Sequence, residues 1–275
     1  MHSGKLKIKN FKLRITMTNK PYYIIDFLAA NCFIDIRVND ISIFSSNMEG
    51  QLDTGMPINY AILESGSQRV NYTVLPLLGE TQLKDSAYFS ATLCLYDGSG
   101  TVIQKLEEID EYTTPQEKNG IIPLYRHEAV FEAPVPYRIE AWQNSTDLKD
   151  MDVKALRAMV EKEFEKIERF FESYQYIRFM DMIAKKEEDT VTSMYLSDRD
   201  KQERANKLLK LLQTGFKVVP TSPEDVIMLY GYGKLVSLKN KDGHSAFLLK
   251  DETGRNLYID LKFHLPKGSN ELMII

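Results

Sequence analysis

The chain has 275 residues, 43% hydrophobic and 27% charged, a mix that belongs to a globular protein and excludes collagen-like, low-complexity and largely disordered readings. Its 35 basic and 39 acidic side chains leave a formal charge of −4, which removes the basic footprint that duplex nucleic acid requires. No stretch approaches the roughly 18 consecutive apolar residues of a membrane span.

The N-terminus, MHSGKLKIKNFKLRITMTNK, is basic but has no apolar h-region and no small-residue cleavage site, so the chain reads as cytoplasmic. A secreted or periplasmic chain from which a signal had been removed would look the same. Leu6, Ile8, Phe11, Leu13 and Ile15 alternate with Lys7, Lys9, Lys12 and Arg14, with one slip at Asn10 that predicts a bulge. Further strand-like runs are PYYIIDFL, CFIDIRVNDISIF, INYAILES, QRVNYTVLPL, AYFSATLCLYD, TVIQKLEEI, LYRHEAVFE and YRIEAW. Turn signals separate them at Asn39-Asp40, Ser65-Gly66, Asp97-Gly98-Ser99-Gly100 and Asn119-Gly120. This spacing predicts an all-β sandwich over residues 5–141, immunoglobulin-like or jelly-roll. Cys32 and Cys94 both sit in strand-like runs, as the inter-sheet cysteines of an immunoglobulin domain do. The sole tryptophan, Trp142, follows both cysteines instead of lying between them, so buried thiols are expected and a disulfide is not.

The texture changes at a polar, aperiodic stretch, the predicted linker 142–151. Beyond it Val153, Leu156, Val160, Phe164, Ile167, Phe171, Tyr174 and Ile177 recur at three- and four-residue steps, predicting one long amphipathic helix from about residue 152 to about 186. A second helix is predicted at about 198–214, capped by Ser197 and ended before Gly215. Strand character returns in DVIMLYGYGKLVSL, SAFLLKD, NLYIDLKFHL and ELMII, separated by the turns NKDG and ETGR. Residues 152–275 are therefore expected to form an α+β domain, two helices on an antiparallel meander. Its element order resembles a cystatin-like or NTF2-like roll, a likeness that carries no function with it. The acidic excess of the chain lies in residues 1–150.

Groups able to do chemistry are sparse. His2 is terminal. His127 and Glu128 are neighbours on a predicted strand and point to opposite faces. His244, with Asp242 and Ser245 in KDGHSA, is accounted for by a hairpin turn. Asp260, Lys262 and His264 fall at i, i+2 and i+4 on one strand face and would make half of a metal site, but no HxH, HExxH or CxxC pattern supplies the rest, and a solvated sheet face is expected. Gly231 and Gly233 lie between strands, which suits a bulge or a close backbone approach and not a phosphate cradle. Glu107, Glu108, Asp110 and Glu111 read as an acidic loop, and the acceptor sequences at Asn71 and Asn144 as coincidental. No cofactor and no catalytic set are expected, so the chain reads as a non-enzyme.

The surplus lies in aromatic residues. On the long predicted helix, Phe170, Phe171, Tyr174, Tyr176, Ile177, Phe179 and Met180 cover more than one stripe, a surface that needs a cover. Phe170, Tyr176, Phe179 and Met180 are the candidate partner-binding residues. The functional expectation is a protein-binding module, within that class a bacterial immunity or adaptor protein masking a basic partner. The alternatives are a carbohydrate or small-ligand binding protein, and a metal-dependent hydrolase using Asp260 and His264 of the C-terminal sheet.

Overall fold

Alternating burial along Pro21–Val38 makes β1, a strand of 18 residues whose inward side chains run from Tyr23 to Val38. The alternation slips once, at Asn31, which takes a left-handed φ of 49° and marks a register shift between Ala30 and Cys32. That bulge bends the strand. Its first half pairs with β4 (Tyr88–Asp97) and its second half with β3 (Gly66–Leu75), on one edge, while β2 (Ile41–Pro57) follows the other edge. β5 (Gln104–Thr113) extends beyond β4, and β6 (Tyr125–Ala133) beyond β3. The outcome is a curled, six-stranded antiparallel sheet whose two outer strands meet, with the Tyr112 and His127 rings 4.3 Å apart. This computed structural model describes residues 18–115 and 123–275. The predicted strand over Leu6–Ile15, His2 and the turn at Asn119-Gly120 lie outside the described residues.

Several expectations need correction here. PYYIIDFL and CFIDIRVNDISIF are not two separate strands: the first joins the start of the second through the Asn31 bulge into β1, and the remainder turns at Asn39-Asp40, both with positive φ, into β2. Glu107–Glu111 lie within strand β5 and not in a loop. INYAILES forms a short 3₁₀ turn at Asn59–Ala61 because buried Asn59 ties it down: its Oδ1 accepts from the Tyr23 amide and its Nδ2 donates to the Pro21 carbonyl. Cys32 and Cys94 are both buried thiols, and Cys32 Sγ donates to the Tyr88 carbonyl.

The described residues are mostly β with four helices. α1 (Val153–Glu172) starts on Asp152, whose carboxylate accepts from the Ala155 amide, and buries the stripe Leu156, Val160, Phe164, Ile167 and Phe171. The single long helix expected over 152–186 is in fact three. After α1 the chain closes a Schellman motif: the Gln175 amide donates to the Phe170 carbonyl and the Tyr174 amide to the Phe171 carbonyl, with Tyr174 at φ 57° in the place usually held by glycine. α2 (Tyr176–Met182) and α3 (Ala184–Ser193) follow, then α4 (Asp198–Leu212). α4 opens on a reciprocal capping box between Ser197 and Asp200, and Gly215 beyond its end has φ 92°.

The C-terminal strands form two small sheets. One has the order β11 (Asn256–Tyr258), β10 (Leu248–Lys250), β7 (Lys217–Val219); the other β13 (Met273–Ile274), β12 (Phe263–His264), β9 (Leu235–Lys239), β8 (Val226–Tyr230). Gly231-Tyr232-Gly233, all at positive φ, turn β8 back onto β9. A Cβ on Gly231 would meet Trp142 Nε1 at 2.8 Å, so the close backbone approach read from the sequence is present. The buried apolar side chains fall into two clusters, one in the curled sheet and one among the helices and C-terminal strands, but Tyr230, Leu235 and Ile275 belong to the first. The 142–151 segment is pinned to the second half: the Thr146 amide donates to the Leu265 carbonyl and the Leu148 amide to the Gly233 carbonyl, with Leu148 buried. No helix among the described residues is long and apolar enough to cross a membrane.

Candidate functional site

The helix break decides where the aromatic residues go. Phe179 and Tyr176 are buried, with ring centroids 5.6 and 5.3 Å from that of Phe171. Met180 packs partly buried against the same core, and Phe170 is half-buried with the Arg178 guanidinium 5.8 Å from its ring centroid. The large apolar groups exposed on this stretch are Tyr174, at 79%, and Ile177, at 59%.

A cavity of about 250 Å³ lies where the curled sheet meets α3 and the C-terminal strands. The start of β2 contributes Ile41, Ser42 and Ile43, the 3₁₀ turn Tyr60, and the pinned segment Trp142. Helix α3 contributes Lys186, Asp189 and Thr190, whose i, i+3, i+4 spacing places them on one helix face. Asp260 and Lys262 complete the charged lining beside Lys186.

Asp260 is the hub of this wall. Its Oδ1 accepts from Lys239 Nζ at 2.7 Å, its Oδ2 accepts from Lys262 Nζ, and its backbone carbonyl accepts from Lys186 Nζ at 2.8 Å. The carboxylate keeps 43% of its side chain accessible, and Asp260 is among the residues that line the cavity. Burial alone would raise its pKa, but Lys262 and Lys239 outweigh that and hold the carboxyl well below the usual carboxylate range. Burial pushes the Lys186 ammonium the other way, below its ordinary value, with Asp260 opposing the shift and Lys262 adding to it. Burial, and then the Asp260 charge, push Tyr60 far up, so it is a neutral hydroxyl. Asp189 pairs through Oδ1 with Lys185 Nζ at 2.7 Å, while its Oδ2 is buried without a hydrogen-bond partner.

The expected solvated face of Asp260, Lys262 and His264 is therefore corrected. Asp260 and Lys262 face the cavity, where the wall of lysines satisfies the carboxylate. His264 is drawn away, its Nδ1 sharing a hydrogen bond of 2.6 Å with Ser145 Oγ, and burial lowers its pKa. Among the described residues no three His, Cys, Asp or Glu side chains converge as metal ligands.

The other histidines sit where strand alternation and turn chemistry place them. His127 points inward, its Nε2 3.6 Å from Asp110 Oδ2, while Glu128 points outward to Arg69. His244 lies in a turn in which Asn240 Oδ1 accepts from the Asp242 and His244 amides, and Ser245 Oγ donates to the Ile259 carbonyl.

Sequence reasoning missed Lys186 and Asp189, which look like any solvated charges in the run AKKEEDT. Only the approach of α3 to the 259–262 segment gives them a role, and no local pattern announces that approach. The chemistry has to be argued from the cavity itself, because no family model, no curated protein and no solved structure matches the chain.

Proposed function

We propose that this protein binds a small organic acid in the cavity between β2, α3 and the 259–262 segment. One observation carries the reading: three lysines, 186, 239 and 262, gather on the single carboxylate of Asp260 and its own backbone, while Asp189 is matched by Lys185. With Lys186 neutral, the surplus positive charge is the one that Lys239 contributes by sharing Asp260 with Lys262 from the neighbouring groove. A surplus charge away from bulk water is costly until an anion meets it. The rest of the lining is mostly apolar, with Ile41, Ile43, Leu63, Ile139 and Leu235 among a few polar groups, the usual composition of a small-molecule site. Its volume lies below the roughly 300–1,000 Å³ of drug-sized sites, so the molecule is small.

Trp142, the sole tryptophan, lies in the wall and reports on occupancy. Titration of its fluorescence with small mono- and dicarboxylates and with inorganic phosphate should give a saturable change with a carboxylate. That change should weaken about tenfold or more in Lys262→Met, the loss of one charge-assisted contact. A flat response across the panel would sink the reading.

The partner-binding reading keeps a narrower support, the exposed pair Tyr174 and Ile177 beside the α1–α2 break. The two buried clusters support a division into a sandwich-like N-terminal part and an α+β C-terminal part, with the cavity between them.

A further inference from the structure

We propose that Lys186 is a covalent capture site, its amine forming an imine with the carbonyl carbon of a small 2-oxo acid held in the cavity. The inference rests on the organic-acid reading above and adds the reacting group. Among the described residues Lys185, Lys239 and Lys262 each make an ion pair with a carboxylate, whereas Lys186 Nζ has none within ion-pair distance and donates only to the Asp260 carbonyl. It is thus the one lysine of these four with no carboxylate at ion-pair distance among the described residues, and it is only partly exposed. Two conditions that make a lysine nucleophilic meet here, desolvation and a neighbouring ammonium, that of Lys262. Asp260 opposes the shift, while Glu187 and Arg204 act in opposite directions and pair with each other. Burial accordingly favours the free amine.

The acid group of the ligand and its carbonyl then have different partners. The carboxylate meets Lys262, the other lysine that lines the cavity, and the adjacent carbonyl faces Lys186. The amine lone pair adds to the carbonyl carbon and the π pair moves to oxygen. Both amine hydrogens leave with that oxygen as one water, and the C=N bond remains. No oxidant or reductant is consumed. Tyr60 lines the same cavity as a neutral hydroxyl, able to donate to the carbonyl oxygen.

The test uses the full chain with glyoxylate as probe and sodium cyanoborohydride to fix any imine, followed by peptide mapping at pH 7. Lys186 should be alkylated several-fold faster than exposed Lys154, since burial leaves more of its amine free. Glycolate, which has the acid but no carbonyl, should slow that labelling. Labelling that glycolate leaves unchanged would place the reaction outside the acid site and overturn the proposal. Lys186 modified no faster than Lys154, with Trp142 still reporting glyoxylate binding, would overturn capture and leave the organic-acid reading standing. No labelling and a flat Trp142 titration would overturn both. In Lys186→Arg the labelling should vanish while glycolate binding persists; if that variant does not fold, the map of the unaltered protein still decides.

Discussion

Lys239, the last residue of β9, donates through Nζ to Asp260 Oδ1 at 2.7 Å, and the two residues face different spaces. Asp260 lines the small cavity, whereas Lys239 lines a broad groove of about 960 Å³ shared with Arg37, Tyr230 and His127. The pair is therefore a partition. Lys262 completes it, its Nζ 5.5 Å from the Tyr230 ring centroid, and Arg37 lies 5.0 Å from that centroid. A carboxylate that satisfies lysines on two sides holds the wall together, and its removal should be felt in both spaces.

Asp260→Asn should destabilise the fold by about 1–3 kcal/mol at pH 7, because Lys239 and Lys262 lose their shared counter-charge while each keeps a little solvent exposure. The folded-state pKa of Asp260 is held below its ordinary 3.8, so its contribution is complete above that value and drains away as the pH falls toward the folded value. Urea midpoints at pH 7 and pH 3 check this. The unaltered protein should lose more stability over that interval than Asp260→Asn, and equal losses would refute the assignment.

His264 should titrate below its ordinary 6.5, since burial disfavours the imidazolium and Ser145 holds the ring. The unfolded chain then binds the proton more readily than the folded one. Stability is complete above 6.5 and falls as the pH drops from there toward the folded pKa. Proton NMR of the imidazole gives the midpoint directly. A value above 6.5 would contradict the burial argument.

How much of this could be read in the residues depends on which interactions are local. The alternation of β1 was plain, as were the Asn39-Asp40 turn and the Ser197 cap, because each is written within a few neighbouring positions. The end of α1 was not, since the left-handed residue that closes it is Tyr174 and no glycine flags it. The strand β2 runs on through the polar stretch Ser45–Pro57 because β1 offers it a continuous edge, a fact about the partner and not about its own sequence. The candidate site is the extreme case. Lys186 and Asp260 meet across 74 positions, and neither carries a sign of the other. Periodicity tells which face is buried but not what it is buried against.

Gly231→Ala should cost about 1–3 kcal/mol and disturb the reporter at once. Gly231 sits at φ 58°, where an L side chain is strained, and the added Cβ would lie 2.8 Å from Trp142 Nε1. Trp142 would have to move, and it lines the cavity. The measurement is the urea midpoint together with the emission maximum of the single tryptophan. A variant of unchanged stability and unchanged emission would show that this approach is looser than described.

Tyr174→Gly should raise stability by about 0.5–1 kcal/mol. Tyr174 occupies the left-handed position of the Schellman motif at φ 57°, a conformation that strains a side-chain-bearing residue and suits glycine. Against this gain stands little lost packing, since the ring is 79% exposed and its one aromatic neighbour, Tyr176, lies edge-on with centroids 6.3 Å apart. The greater freedom of glycine in the unfolded chain takes back part of the gain, which is why the expected figure is modest. Thermal unfolding of the two proteins measures the balance. A clear fall in stability would mean that the Tyr174 ring packs in solution against something that the exposed geometry does not reveal. Paired with a loss of self-association or of a captured protein, that fall would move the weight of the functional argument from the cavity to the exposed turn between α1 and α2.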